Sequence, residues 1–295
     1  MIFVTGATGF VGANLLERLI NDGHRVRALI RRPQAAGSVE SKGCESVIGD
    51  VRDAQSLLTA ITPPVDTVIH LVGVLFETKG ASFNEMHLRS TVNVINACLK
   101  KGVKRYIHIS ALGTRKDARS SYHRTKWAAE EAVRSSGLDY TIFRPSVIFG
   151  RQDKFTNLFA NIIKNSPVVF VPGSGRNKMQ PVFIDDVVSA IAASVKADWA
   201  SGMTYEIGGK EAYAFDEIID LIAAAINRTR LKVHVPMPLM RVAAGILEGF
   251  LSRPPITRDQ LLMLEEDNVT DAHILSSVFG ITPRSFADGM KTYLT

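Results

Sequence analysis

Cysteine is almost absent from this chain: Cys44 and Cys98 are the whole complement in 295 residues. With no CxxC pair and no Cys/His cluster of ligand spacing, neither a disulfide framework nor a metal site is expected, and both thiols read as buried and inert. Long apolar runs are missing too, since none reaches the roughly 18 residues that a bilayer-spanning helix needs. The first strand-like run, Ile2 to Thr5, follows the initiator Met directly. That leaves no room for a signal or transit peptide, so a cytoplasmic location is the expectation. No internal repeat, heptad array or low-complexity tract occurs. The net charge of +6 is spread along the chain rather than gathered into a run. A solvated basic surface and an anionic ligand account for it, and no nucleic-acid partner is expected.

What is present is an alternation of short β-branched runs with helical patterns. Six strand candidates, Ile2-Thr5, Arg25-Ile30, Ser46-Gly49, Thr67-Val72, Arg105-Ser110 and Tyr140-Arg144, alternate with helices that include Phe10 to Asn21, Phe83 to Lys101 and Tyr122 to Ser135. The fold class expected is α/β, a Rossmann-type doubly wound parallel sheet followed by a smaller, mostly helical lobe. The boundary falls near residue 150, giving units 1-150 and 151-295, with a segment near 181-208 returning to the first unit.

Thr5-Gly6-Ala7-Thr8-Gly9-Phe10-Val11-Gly12 lies between the first predicted strand and the first predicted helix. In that context the glycine spacing predicts a dinucleotide site. Gly6 permits the tight turn, Gly9 lets backbone approach a pyrophosphate, and Gly12 allows close helix-strand packing. Thr8, Phe10 and Val11 complete the loop at the helix N-terminus, where free N–H groups favour phosphate.

Acids are missing between residues 23 and 39, where an NAD-preferring site would place one to accept from both ribose hydroxyls. Arg31 and Arg32 stand there instead, and a guanidinium pair suits a 2'-phosphate. NADP(H) is the expected cofactor, with NAD(H) kept as the alternative.

The GxxGxxG spacing is similar to the signature of the extended short-chain dehydrogenase/reductase superfamily. The resemblance implies that Asp50 and Val51 lie beside the adenine and that Leu71, Val72 and Gly73 border the adenosine ribose; locally, Asp50 also reads as a helix cap and Gly73 as a turn. Tyr122-His123-Arg124-Thr125-Lys126 matches the superfamily's YxxxK motif. There the Tyr is the acid or base, and the Lys lowers its pKa and holds the nicotinamide ribose. Pro145, Ser146 and Val147, in Arg144-Pro145-Ser146-Val147-Ile148-Phe149-Gly150, resemble the segment that borders the nicotinamide. The catalytic Ser and Asn are not matched: Ala111 holds the Ser position, with Ser110 its neighbour, and His87 aligns with the Asn, although Asn93 further along that pattern is kept.

Within the superfamily the chain resembles, almost end to end, the atypical group that includes the alpha-subcomplex-nine accessory subunit of respiratory complex I and its bacterial relatives. Particular marks are Tyr122-His123-Arg124-Thr125-Lys126 leading into Ala128-Ala129-Glu130, the Arg144 to Arg151 segment, and Thr257-Arg258-Asp259-Gln260-Leu261. That resemblance implies tightly held NADPH in a protein linked to quinone or respiratory metabolism. Three readings stay open on the residues: an oxidoreductase, whose substrate includes an apolar molecule such as a quinone; a non-catalytic NADPH-binding subunit or sensor; and a nucleotide-sugar epimerase or dehydratase. The apolar segment Pro238 to Leu251 is too short and charged to span a bilayer. It reads as a core helix, a pocket wall, or a docking surface for a protein partner or the membrane surface.

Overall fold

A computed structural model describes residues 1–294. β1 (Ile2–Thr5), β2 (Val26–Ile30), β3 (Glu45–Ile48), β4 (Thr67–His70), β5 (Arg105–Ile109) and β6 (Asp139–Pro145) correspond to the six predicted strands. A seventh, Met203–Ile207, was not foreseen; it lies at the sheet edge beside β6 and completes the order Met203–Ile207, β6, β5, β4, β1, β2, β3. The pairings among β1 to β6 are all parallel. β1 is buried along its whole length because it is central in this order, with β4 on one side and β2 on the other.

The helices of this sheet are α1 (Phe10–Asn21), α2 (Ala36–Glu40), α3 (Ala54–Ala60), α4 (Ser90–Lys101) and α5 (Ser121–Arg134). α1 buries Gly12, Leu15, Leu16 and Leu19, the stripe that the 3.6-residue period demands. On one face of the sheet Phe3, Val68, Tyr106 and Ile142 pack with Leu57, Val94, Cys98 and Val133 from α3, α4 and α5 into one core. The predicted helix Phe83 to Lys101 is not uniform: Asn84–Arg89 winds as a π-helix before α4 continues it. Asp50 is not the cap expected as an alternative; Asp53 caps α3, its carboxylate accepting from the Gln55 N–H at 2.9 Å.

The chain divides into two units. The first comprises Met1–Ala118, Tyr122–Arg144 and Val187–Tyr205; the second comprises Arg119–Ser121, Pro145–Asp186 and the chain from Glu206 onward. In the second, the strands Val168–Pro172 and Leu231–Val235 pair in parallel, and helices Phe155–Asn165, Phe215–Ala225, Met237–Phe250 and Arg258–Leu264 surround or follow them in sequence. Thr257-Arg258-Asp259-Gln260 proves to be a capping box: Thr257 Oγ1 accepts from the Gln260 N–H, and Gln260 Oε1 accepts from the Thr257 N–H. Among the described residues no helix is long and apolar enough to cross a membrane, and no cluster of His, Cys, Asp and Glu could hold a metal ion.

Candidate active site

The glycine loop turns at Gly6, whose φ of 72° lies in the left-handed region. A Cβ there would stand 3.1 Å from the Leu71 carbonyl carbon and 3.2 Å from the Val72 nitrogen, so the exit of β4 is drawn against the loop. Leu71 and Val72 lie just past β4 rather than in it. At Gly12 an added Cβ would fall 2.3 Å from the Gly6 carbonyl oxygen, which explains how α1 can start so close to the strand. Gly9 is the N-cap of α1; no side chain bonds that terminus and the first turn carries no acid. Thr8 and Gly9 are exposed, and Phe10 and Val11 half-buried. Uncapped N–H groups behind an exposed glycine are what a pyrophosphate requires, so these residues fit a dinucleotide.

At the adenosine end, Arg31 and Arg32 follow β2 and are exposed. Asp50 is held by Arg52, which no sequence motif marks. Arg52 grips its carboxylate from Nε at 3.1 Å and Nη2 at 2.7 Å, and its Nη1 donates to the Gly80 carbonyl at 3.0 Å. The Arg52 hydrogen bonds, and more weakly the charges of Arg52 and Arg31, hold the Asp50 carboxyl below its ordinary range. Val51 is a core residue, with its carbonyl fixed by Asn93 Nδ2 at 3.1 Å, so the retained Asn93 has a structural task.

Tyr122 and Lys126 lie one turn apart on α5, and both are buried. Lys126 Nζ donates to the Ile109 carbonyl at 2.8 Å. Burial lowers its pKa to about 8, against an opposing pull from Glu130. Burial raises the Tyr122 phenol to about 12, so it is a neutral acid at physiological pH. The Tyr122 ring meets His87 edge-on at 5.1 Å and Phe83 at 5.8 Å. Ser110, which follows Ile109, is buried; its hydroxyl donates to Thr114 at 3.4 Å, and Thr114 in turn neighbours His123 Nδ1 at 3.4 Å. Phe83, Thr114 and Arg52 carry no motif, and only their placement reveals them.

Pro145, Ser146 and Val147 belong to the second unit. There the Ser146 hydroxyl donates to Asn268 Oδ1 at 2.5 Å and its N–H to the Ile207 carbonyl at 2.9 Å, while the Val147 carbonyl accepts from Val182.

A strand, glycine loop and helix at the start of a parallel sheet, followed by a buried Tyr and Lys one turn apart, define a dinucleotide-binding protein of the short-chain dehydrogenase/reductase class. The chain belongs to the NAD-dependent epimerase/dehydratase family, whose pattern matches residues 2–208. Among its curated relatives is "NADH dehydrogenase [ubiquinone] 1 alpha subcomplex subunit 9, mitochondrial" of Dictyostelium discoideum, 30% identical over 286 residues that cover 92% of this chain and 78% of the relative. The protein of the same name from Arabidopsis thaliana is 30% identical over 289 residues, 93% of this chain and 70% of the relative. Among solved structures, the NADPH-dependent quinone oxidoreductase of Escherichia coli complexed with NADPH shares the fold, with a TM-score of 0.82 at 18% identity over 99% of both chains.

Proposed function

We propose that the chain binds NADP(H) in preference to NAD(H) and uses it to reduce an apolar carbonyl or quinone, with Tyr122 as proton donor and Lys126 as its activator. The observation that carries this reading is the pairing of a buried neutral phenol with a buried lysine on one face of α5. NADPH, when bound, supplies the hydride. Tyr122 then gives its proton to the substrate oxygen, and the Lys126 ammonium stabilises the phenolate left behind. With its pKa lowered to about 8, Lys126 still carries its charge at pH 7. Arg31 and Arg32 support the 2'-phosphate, since both are exposed just past β2 and no acid stands between residues 23 and 39.

Titration of the purified chain with NADPH and NADH, then assay of NADPH oxidation by quinones, aldehydes and nucleotide sugars, tests the proposal. Tyr122→Phe should abolish turnover and leave NADPH affinity within about twofold, because only one hydroxyl is lost. Equal affinity for both cofactors defeats the NADP(H) preference; oxidation that persists in Tyr122→Phe defeats the catalytic assignment.

A second reading, a NADPH-holding subunit of a larger respiratory assembly, is favoured by Leu239, Val242, Ile246 and Phe250, an exposed apolar stripe on helix Met237–Phe250. The names of the curated relatives support it. Retention of NADPH without turnover on any acceptor, with binding to partner protein or liposomes lost in Ile246→Glu, would favour this reading.

A further inference from the structure

His87 aligns where relatives of the superfamily keep an Asn, and it is 1% exposed. The π-helical turn Asn84–Arg89 inserts it between two parts of the site. On one edge of the ring, Nε2 lies 3.2 Å from the Val74 nitrogen and 3.1 Å from the Val74 carbonyl oxygen. On the other, Nδ1 lies 2.9 Å from Thr125 Oγ1, on the turn of α5 between Tyr122 and Lys126. Phe83 stacks on the ring at 5.3 Å. Gly73 completes the arrangement: a Cβ there would stand 3.2 Å from Lys126 Nζ and 3.7 Å from His87 Cδ2.

We propose that His87 is a positioning residue that ties the β4 exit at Gly73 and Val74 to the Tyr122 and Lys126 turn of α5, holding the two in register for the dinucleotide. The assignment rests on the cofactor reading above. The Thr125 hydroxyl donates to the Tyr122 carbonyl at 3.0 Å, which leaves its oxygen to accept from the ring. With its proton on Nδ1 the ring donates to Thr125 Oγ1 and accepts the Val74 N–H at Nε2, so one neutral tautomer bridges the two elements. An Asn is shorter and has no second hydrogen-bonding edge across a rigid ring, so it cannot brace both elements in this way. Burial and the Lys126 charge keep the imidazole neutral, which spares the site a second buried cation. His87 is therefore a rebuilt contact in place of the Asn.

The test compares wild type with His87→Phe, His87→Gln, Thr125→Val and the His87→Phe/Thr125→Val pair. NADPH affinity should fall about tenfold in His87→Phe, the worth of one buried hydrogen bond, and recover in part in His87→Gln, whose amide can both donate to and accept from Val74. Thr125→Val should weaken binding on its own yet add little to His87→Phe, because the contact to the ring is shared and the other Thr125 bond, to the Tyr122 carbonyl, stays within one turn of α5. Amide exchange in the ligand-free chain provides a readout independent of cofactor: Val74 should lose protection in His87→Phe and regain it in His87→Gln. Unchanged Val74 exchange, or additive losses in the double variant, overturns the inference. If His87→Phe does not fold, Thr125→Val still decides it, since unaltered NADPH affinity in that variant would defeat the inference. Failure of wild type to bind NADPH defeats the cofactor reading instead, and Val74 exchange then decides whether His87 couples the two elements.

Discussion

Lys126 Nζ lies against Gly73, so that a methyl group at residue 73 would stand 3.2 Å from the ammonium nitrogen. The contact joins a glycine just past β4 to the lysine of the YxxxK motif, 53 residues apart in the chain. Gly73→Ala should therefore displace Lys126 rather than unfold the sheet, since the obstructing atom ends a flexible side chain. We expect a loss of about tenfold in NADPH affinity with a change in unfolding free energy below about 1 kcal/mol. Fluorescence titration and urea denaturation measure the two; unaltered affinity would show that Lys126 has room to move.

Gly12→Ala should behave in the opposite way. The added Cβ meets backbone at 2.3 Å (Gly6 O) and 2.7 Å (Ala7 Cα), and backbone cannot step aside. Alanine's helix propensity is worth about 1 kcal/mol over glycine, while overpacking costs about 1 to 3 kcal/mol, so the clash should win. A urea midpoint lower than wild type is expected, and an equal or higher one would refute the close packing of α1 on the Gly6-Ala7 turn.

His108 is buried on β5 with neither ring nitrogen hydrogen-bonded, and His70 beside it on β4 bonds Thr5 through Nδ1 but leaves Nε2 unpartnered. Burial holds the His70 pKa near 3 and depresses that of His108, so both are neutral in the fold. Below about 6.5 the unfolded chain binds protons that the folded chain refuses, so stability falls as pH drops from 6.5 toward 3. His108→Leu should relieve both burdens, raising stability by about 1 kcal/mol at neutral pH and more under acid. Denaturation of both proteins across that range checks the sign.

Lys126 produces the complementary effect on the alkaline side. Its folded pKa of about 8 lies below the ordinary 10.5, so between these values the unfolded chain carries more protons and stability rises with pH. Relative to Lys126→Met, which has no such titration, wild type should gain stability over that interval. A flat difference would mean that the ammonium is better solvated than its burial indicates.

Arg31→Asp should lower NADPH affinity by about tenfold or more while changing NADH affinity much less, because an acid there repels a 2'-phosphate and accepts from ribose hydroxyls. Isothermal titration with both cofactors measures it. Parallel losses would indicate a general role for Arg31 in the fold of the β2 exit.

Local sequence determined a large part of this protein. β1, the glycine loop and α1 were legible together, as were the Tyr and Lys one helical turn apart, because alternation, glycine spacing and an i,i+4 relation are properties of neighbouring residues. Tertiary structure alone decided what depends on distant segments. The Met203–Ile207 strand is recognisable only by its place beside β6, and Asp50 could be assigned to Arg52 rather than to a helix cap only once both side chains were placed. His87 reads in sequence as a lost Asn; the fold turns it between Val74 and Thr125, 13 residues behind and 38 ahead. Such contacts are paid for by long-range chain closure, and no local pattern of residues records where that closure brings two side chains together.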